Sequence, residues 1–111
     1  MRQQADHLYF IQCGEGGPIK IGVTHDPAQR FRTLQTACPY PLQFLYCRVF
    51  VNAPWYEARL HKMFARFRLN GEWFLPADDI LRHIRQITAM DELDAQGEYA
   101  DEDEGEEAGV E

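Results

Sequence analysis

Glu57 and His61 stand four residues apart in the run Tyr56-Glu57-Ala58-Arg59-Leu60-His61-Lys62, a spacing that puts a carboxylate and an imidazole on one side of a helix. By spacing alone they read as an ordinary helix pair, with the imidazole able to carry a proton. Around them the chain becomes basic. Arg59, Lys62, Arg66 and Arg68, together with Arg32 further back, are candidates for contacts to a nucleic-acid backbone. Gly14-Glu15-Gly16-Gly17 has the composition of a phosphate loop, but such a loop leads into a helix and here a strand follows, so the run reads as a hairpin turn. The three cysteines, Cys13, Cys38 and Cys47, are odd in number and lack CxxC spacing. They suggest buried reduced thiols, not a disulfide framework or a zinc knuckle.

Net charge sharpens the reading once it is split along the chain. The whole sequence carries -7, yet residues 91–111 hold eleven of its eighteen acids and no Lys or Arg. Residues 1–90 hold all eleven basic residues and seven acids, so the body is +4 and the tail -11. A mildly basic body fits a phosphate-bearing partner.

The elements that must position these groups follow from local pattern. At 111 residues the chain has room for one hydrophobic core, so one domain is expected over residues 1–90, followed by the tail. His7 to Cys13 reads as a buried strand and Ile19 to Val23 as a second, joined to it as a hairpin. Asp26-Pro27 predicts a helix from Pro27 to about Thr36, because Asp caps a free N–H and Pro at the first position loses no bond. Cys38-Pro39-Tyr40-Pro41 stops it, and Leu42 to Val51 forms a third strand. A helix over about Pro54 to Phe67 puts Tyr56, Leu60, Met63, Phe64 and Phe67 on one apolar face. Asn70-Gly71 makes a turn, Glu72-Trp73-Phe74 a short extended segment, and a last helix with Ile80, Leu81, Ile84 and Ile87 opens after Pro76. Glu72 reads as a loop cap or the partner of an Arg, with a second metal-site group as the alternative, and Trp73 as core, with a base-stacking platform as the alternative. From Asp91 the sequence is acidic and poor in large apolar groups, which predicts disorder. No signal segment or membrane-length apolar run is present, so a cytoplasmic protein with no membrane contact is expected.

Taken in order, His7-Leu8-Tyr9-Phe10-Ile11, Lys20-Ile21-Gly22, Arg30, Glu57 to Phe64 and Gly71-Glu72-Trp73-Phe74 resemble the GIY-YIG nucleases, in particular a compact phage and bacterial branch commonly described as a DNA-binding domain. The resemblance spans roughly residues 7 to 88. It implies an α+β fold, a small three-stranded antiparallel sheet flanked by helices. It also implies a metal-dependent endonuclease that hydrolyses DNA, with Glu57 holding Mg2+ or Mn2+, Arg30 clamping the phosphate and Tyr9 positioning or deprotonating water.

The chain departs from that pattern at three places. His7 replaces the first glycine, Lys20 replaces the second tyrosine, and the family's extra histidine falls on Leu34. Lys20 could then favour the Tyr9 phenolate, and His61 could carry protons in place of the missing histidine. The alternative is a nuclease-like fold kept for binding DNA or a protein, with weak or no cleavage. Because relatives often draw specificity from another domain, a separate specificity partner is also expected.

Overall fold

The computed structural model describes the backbone of residues 6–104 and the side chains of residues 6–93. The chain runs β1 (Asp6–Cys13), β2 (Ile19–Thr24), α1 (Pro27–Thr36), β3 (Leu42–Phe50), α2 (Ala53–Met63), a 3-10 turn (Ala65–Phe67), β4 (Arg68–Asn70), β5 (Trp73–Phe74) and α3 (Asp78–Glu104). The α+β class is as read. The sheet, however, has five strands in the order β3-β1-β2-β5-β4, all antiparallel, where three were expected. β4 and β5 are three and two residues long, too short to show any alternation in sequence, and β5 joins the sheet by pairing with β2 across about fifty residues.

β1 is an interior strand between β3 and β2, and its Leu8, Tyr9, Phe10 and Ile11 are all fully buried, a continuous apolar run covered on both faces. Tyr9 and Ile11 cluster with Leu42, and Phe31 and Leu34 of α1 pack on them. Alternation turns Leu8 and Phe10 to the other face, where Phe10 meets Tyr46 edge-on. α1 begins as the sequence dictates, with the Asp26 carboxylate accepting from the Gln29 N–H and Pro27 in the first turn.

Two helix readings need correction. α2 ends at Met63, not Phe67, and Met63 is 51 % exposed while Leu60 and Phe64 are buried. Within α2 Met63 falls on the flank of the face that Leu60 and Phe64 define, about 100° around the helix from Phe64, and the 3-10 turn that follows takes Phe67 off the helical repeat. α3 does not stop before the acidic segment but continues to Glu104. Ala, Leu, Gln and Glu over 91–104 are good helix formers, and extending an existing helix avoids the cost of nucleation. Residues 105–111, also read as disordered, lie outside the described residues. No described helix is long and apolar enough to cross a membrane.

Candidate active site

β1 and β2 pair so that Tyr9 stands opposite Gly22 and Ile11 opposite Lys20, which sends Tyr9 and Lys20 to the same face of the sheet. Gly22 lacks the side chain that would fill the space between them. A Cβ at this position would lie 2.6 Å from the Tyr9 hydroxyl and 3.1 Å from Glu72 Oε1, so glycine is what lets the phenol and the carboxylate approach one another over the strand. From α1, Arg30 Nη1 donates to the Tyr9 hydroxyl at 3.4 Å. An open cavity of about 350 Å3 next to this pair is lined by Lys20, Thr24, His25, Gln29 and Arg30.

Glu72 comes from the β4–β5 turn, where Gly71 takes a positive φ of 58°. The turn is fastened to the sheet edge, since the Glu72 carbonyl accepts from the Ile21 N–H at 3.0 Å. Its carboxylate accepts from Lys20 Nζ at 2.9 Å. On α2, His61 Nε2 lies 2.9 Å from the Ile21 carbonyl and 3.7 Å from Glu57 Oε2. A carbonyl can only accept, so Nε2 carries a proton. Glu57, His61 and Glu72 each bring one potential ligand atom to within 4.8 Å of the others.

Electrostatics ranks these groups. Burial pushes the Glu57 carboxyl up to about 7, helped by the charge of Glu72 and a hydrogen bond with it and opposed by Lys20. Burial also acts to raise Glu72, but the hydrogen bond and charge of Lys20 outweigh it and hold that carboxyl below the usual range. The pair therefore shares one proton near neutrality, with Glu57 as the acid and Glu72 as the anion. Two carboxylates joined by a proton form a donor set suited to a hard divalent cation, which would replace that proton. Nε2 of His61 is committed to the Ile21 carbonyl, so in this arrangement it does not offer a lone pair to metal and flanks Glu57 at 3.7 Å without a hydrogen bond. Tyr9 is raised, not lowered: burial outweighs the nearby Arg30, and Glu72 and Glu57 add to the rise. The expected phenolate is thus unfavourable, and Lys20 spends its charge on Glu72.

Tyr9, Lys20, Arg30, Glu57 and His61 are therefore brought together from four elements, with Glu72 as the member whose position sequence reasoning missed. Glu72 was read as a cap or an Arg partner. Its true partner lies 52 residues back, and nothing local reveals this. Trp73 is half-buried against the Tyr9 cluster, consistent with the core reading. The outer basic residues do not converge on the site. Arg32 and Lys62 are exposed on α1 and α2, Arg59 stacks on Trp55 at 5.0 Å, Arg66 pairs with Asp79 at 3.0 Å, and Arg68 lies over Phe74 at 5.5 Å.

Compared with models of known families, residues 6–89 match that of the T5orf172 domain. The chain belongs to the T5orf172 domain family. This corrects the GIY-YIG resemblance, because the matching model is that of a distinct family and no GIY-YIG model matches. The motifs behind that resemblance are three to five residues long, and the departures at His7, Lys20 and Leu34 were the sign that they could mislead. Membership of the T5orf172 family is compatible with a nuclease or DNA-binding role. Comparison with curated proteins and with solved structures finds no match.

Proposed function

We propose that this T5orf172 domain is a metal-assisted phosphodiester hydrolase acting on DNA. The observation that carries the reading is the approach across Gly22 of a guanidinium-bound phenol, Tyr9 with Arg30, to the Glu72 carboxylate, with a Glu57 oxygen within 4.8 Å of that carboxylate. Glu57 and Glu72 would hold Mg2+ or Mn2+, which when bound supplies positive charge and a polarised water next to the scissile phosphate. Arg30 offers two parallel donors to the non-bridging oxygens as their charge grows. Tyr9 keeps its proton and uses it as a hydrogen-bond donor toward the phosphate or the attacking water, its oxygen meanwhile accepting from Arg30. Lys20 fixes Glu72, and His61, anchored on the Ile21 carbonyl, flanks Glu57 at 3.7 Å. Outside the site, Arg32, Arg59, Lys62, Arg66 and Arg68 would meet the DNA backbone without reading sequence, which leaves room for a separate specificity partner.

A second reading has its own observation. Lys20 already neutralises Glu72, and Glu57 holds a proton, so the cluster is internally satisfied without an ion. In that case the domain binds DNA and does not cut it. Nicking of supercoiled plasmid by the full chain in Mg2+ or Mn2+ separates the two. On the first reading the parent nicks and Glu57→Ala does not. A parent that retards DNA in a gel yet leaves the plasmid supercoiled in both ions establishes the second.

A further inference from the structure

The sequence treats the cysteines as inert, but the fold brings two of them together. β1 ends at Cys13, and Cys38 follows the C-terminus of α1. Their sulfurs are 2.7 Å apart, closer than two unbonded sulfurs ordinarily sit, and both residues are only partly buried. Cys47 is not in this contact. Forming a bond of about 2.05 Å asks the sulfurs to close by well under an ångström from where they stand. The geometry points to Cys13 and Cys38 as an oxidisable dithiol that closes to an intramolecular disulfide, independently of the function proposed above.

The order of events follows from the contact. The Cys13 thiol is pushed up to about 11, chiefly by its hydrogen bond with Cys38, with burial and the charge of a Cys38 thiolate adding to it. Cys13 is thereby held as the thiol, which assigns the first attack to its partner in the contact, Cys38. With a hydroperoxide as oxidant, the Cys38 thiolate takes the terminal oxygen: an S–O bond forms, the O–O bond breaks, and the leaving oxyanion collects a proton. Cys13 then loses its proton and attacks the Cys38 sulfenic sulfur. An S–S bond forms, the S–O bond breaks, and hydroxide leaves with the Cys13 proton as water. Two thiols lose two electrons, and the hydroperoxide gains them.

The bond would tie the end of the strand that bears Tyr9 to the end of the helix that bears Arg30. Because so little movement is needed, it should act as a staple that leaves the Tyr9–Arg30 contact in place and constrains the unfolded chain. The test treats the full chain with a small excess of hydrogen peroxide, then counts thiols after denaturation and maps peptides without reductant. The expected result is a fall from three free thiols to one, a mass loss of two hydrogens, a peptide joining Cys13 to Cys38, and a raised Tm that reductant reverses. Cys47→Ser should form the same link. Cys13→Ser should leave Cys38 as a sulfenic acid that dimedone captures. Three thiols remaining free, a link through Cys47, or oxidation of Cys38 to sulfinic acid with no link in the parent would each overturn the inference.

Discussion

At the scale of single residues, Glu57 is held in tension between stability and use. Its carboxyl titrates at about 7 in the folded chain against 4.5 ordinarily. A raised folded value means that the proton stabilises the fold: the contribution is full below about pH 4.5, declines as pH rises, and is gone above about 7. Glu57→Gln replaces the acid with a neutral donor that can still serve Glu72. In chelator at pH 8 the variant is expected to be more stable than the parent by up to about 3 kcal/mol, with the gap closing toward pH 5. Thermal melts across that range check it, and a gap that is independent of pH would sink the assignment. On the proposed function the same substitution should abolish nicking, since it removes one of the two carboxylates that would hold the metal. A second residue test separates Arg30 from Arg32, which point to different sides of α1. Arg30 donates to Tyr9, whereas Arg32 is exposed. Arg30→Lys keeps the charge and loses the fork, so nicking should slow by more than about tenfold, the equivalent of about 1.4 kcal/mol, while Arg32→Lys is close to parental. Equal rates for the two variants would count against the clamp.

At the scale of elements, Gly22 on β2 is the position where backbone spacing governs chemistry. Gly22→Ala should displace the Tyr9 ring or the Glu72 carboxylate, cost about 1–3 kcal/mol of stability as overpacking does, and lower nicking more than DNA binding. Wild-type nicking in a folded Gly22→Ala protein would show that the approach of the two groups is incidental. What sequence could say about this site depended on the range of the interactions. β1, β2, α1 and β3 were legible because Leu8 to Ile11, Asp26-Pro27 and Pro39-Tyr40-Pro41 are local signals that act within a few residues. Tyr9, Arg30 and Glu57 could be picked out as candidates because they sit on those elements. The Lys20–Glu72 bond could not, since it depends on a two-residue strand finding its place at a distant edge. For Tyr9 the buried strand and the nearby arginine were both legible, but not which of the two prevails, since the balance depends on packing from both faces. The Cys13–Cys38 contact escaped for the same reason, being a product of where α1 ends relative to β1.

At the scale of the whole molecule, charge is divided where the sequence changes character at Asp91. Removing residues 91–111 takes the chain from -7 to +4. Truncation after Met90 should therefore tighten DNA binding at low salt, and the advantage should shrink as salt screens the acids. Affinity measured over a salt series for both forms checks this; identical affinity at every concentration would leave the tail without a part in binding. The pairing of β5 with β2 carries a consequence for how the protein is made. Lys20 leaves the ribosome more than fifty residues ahead of Glu72, so throughout that interval the nascent chain holds an ammonium without its carboxylate and a β2 edge without its neighbour. The hairpin and α1 can form early, but the Lys20–Glu72 cluster cannot assemble until Phe74 has emerged, and a ribosome stalled short of it would display a sheet that lacks β5 and the carboxylate that Lys20 binds.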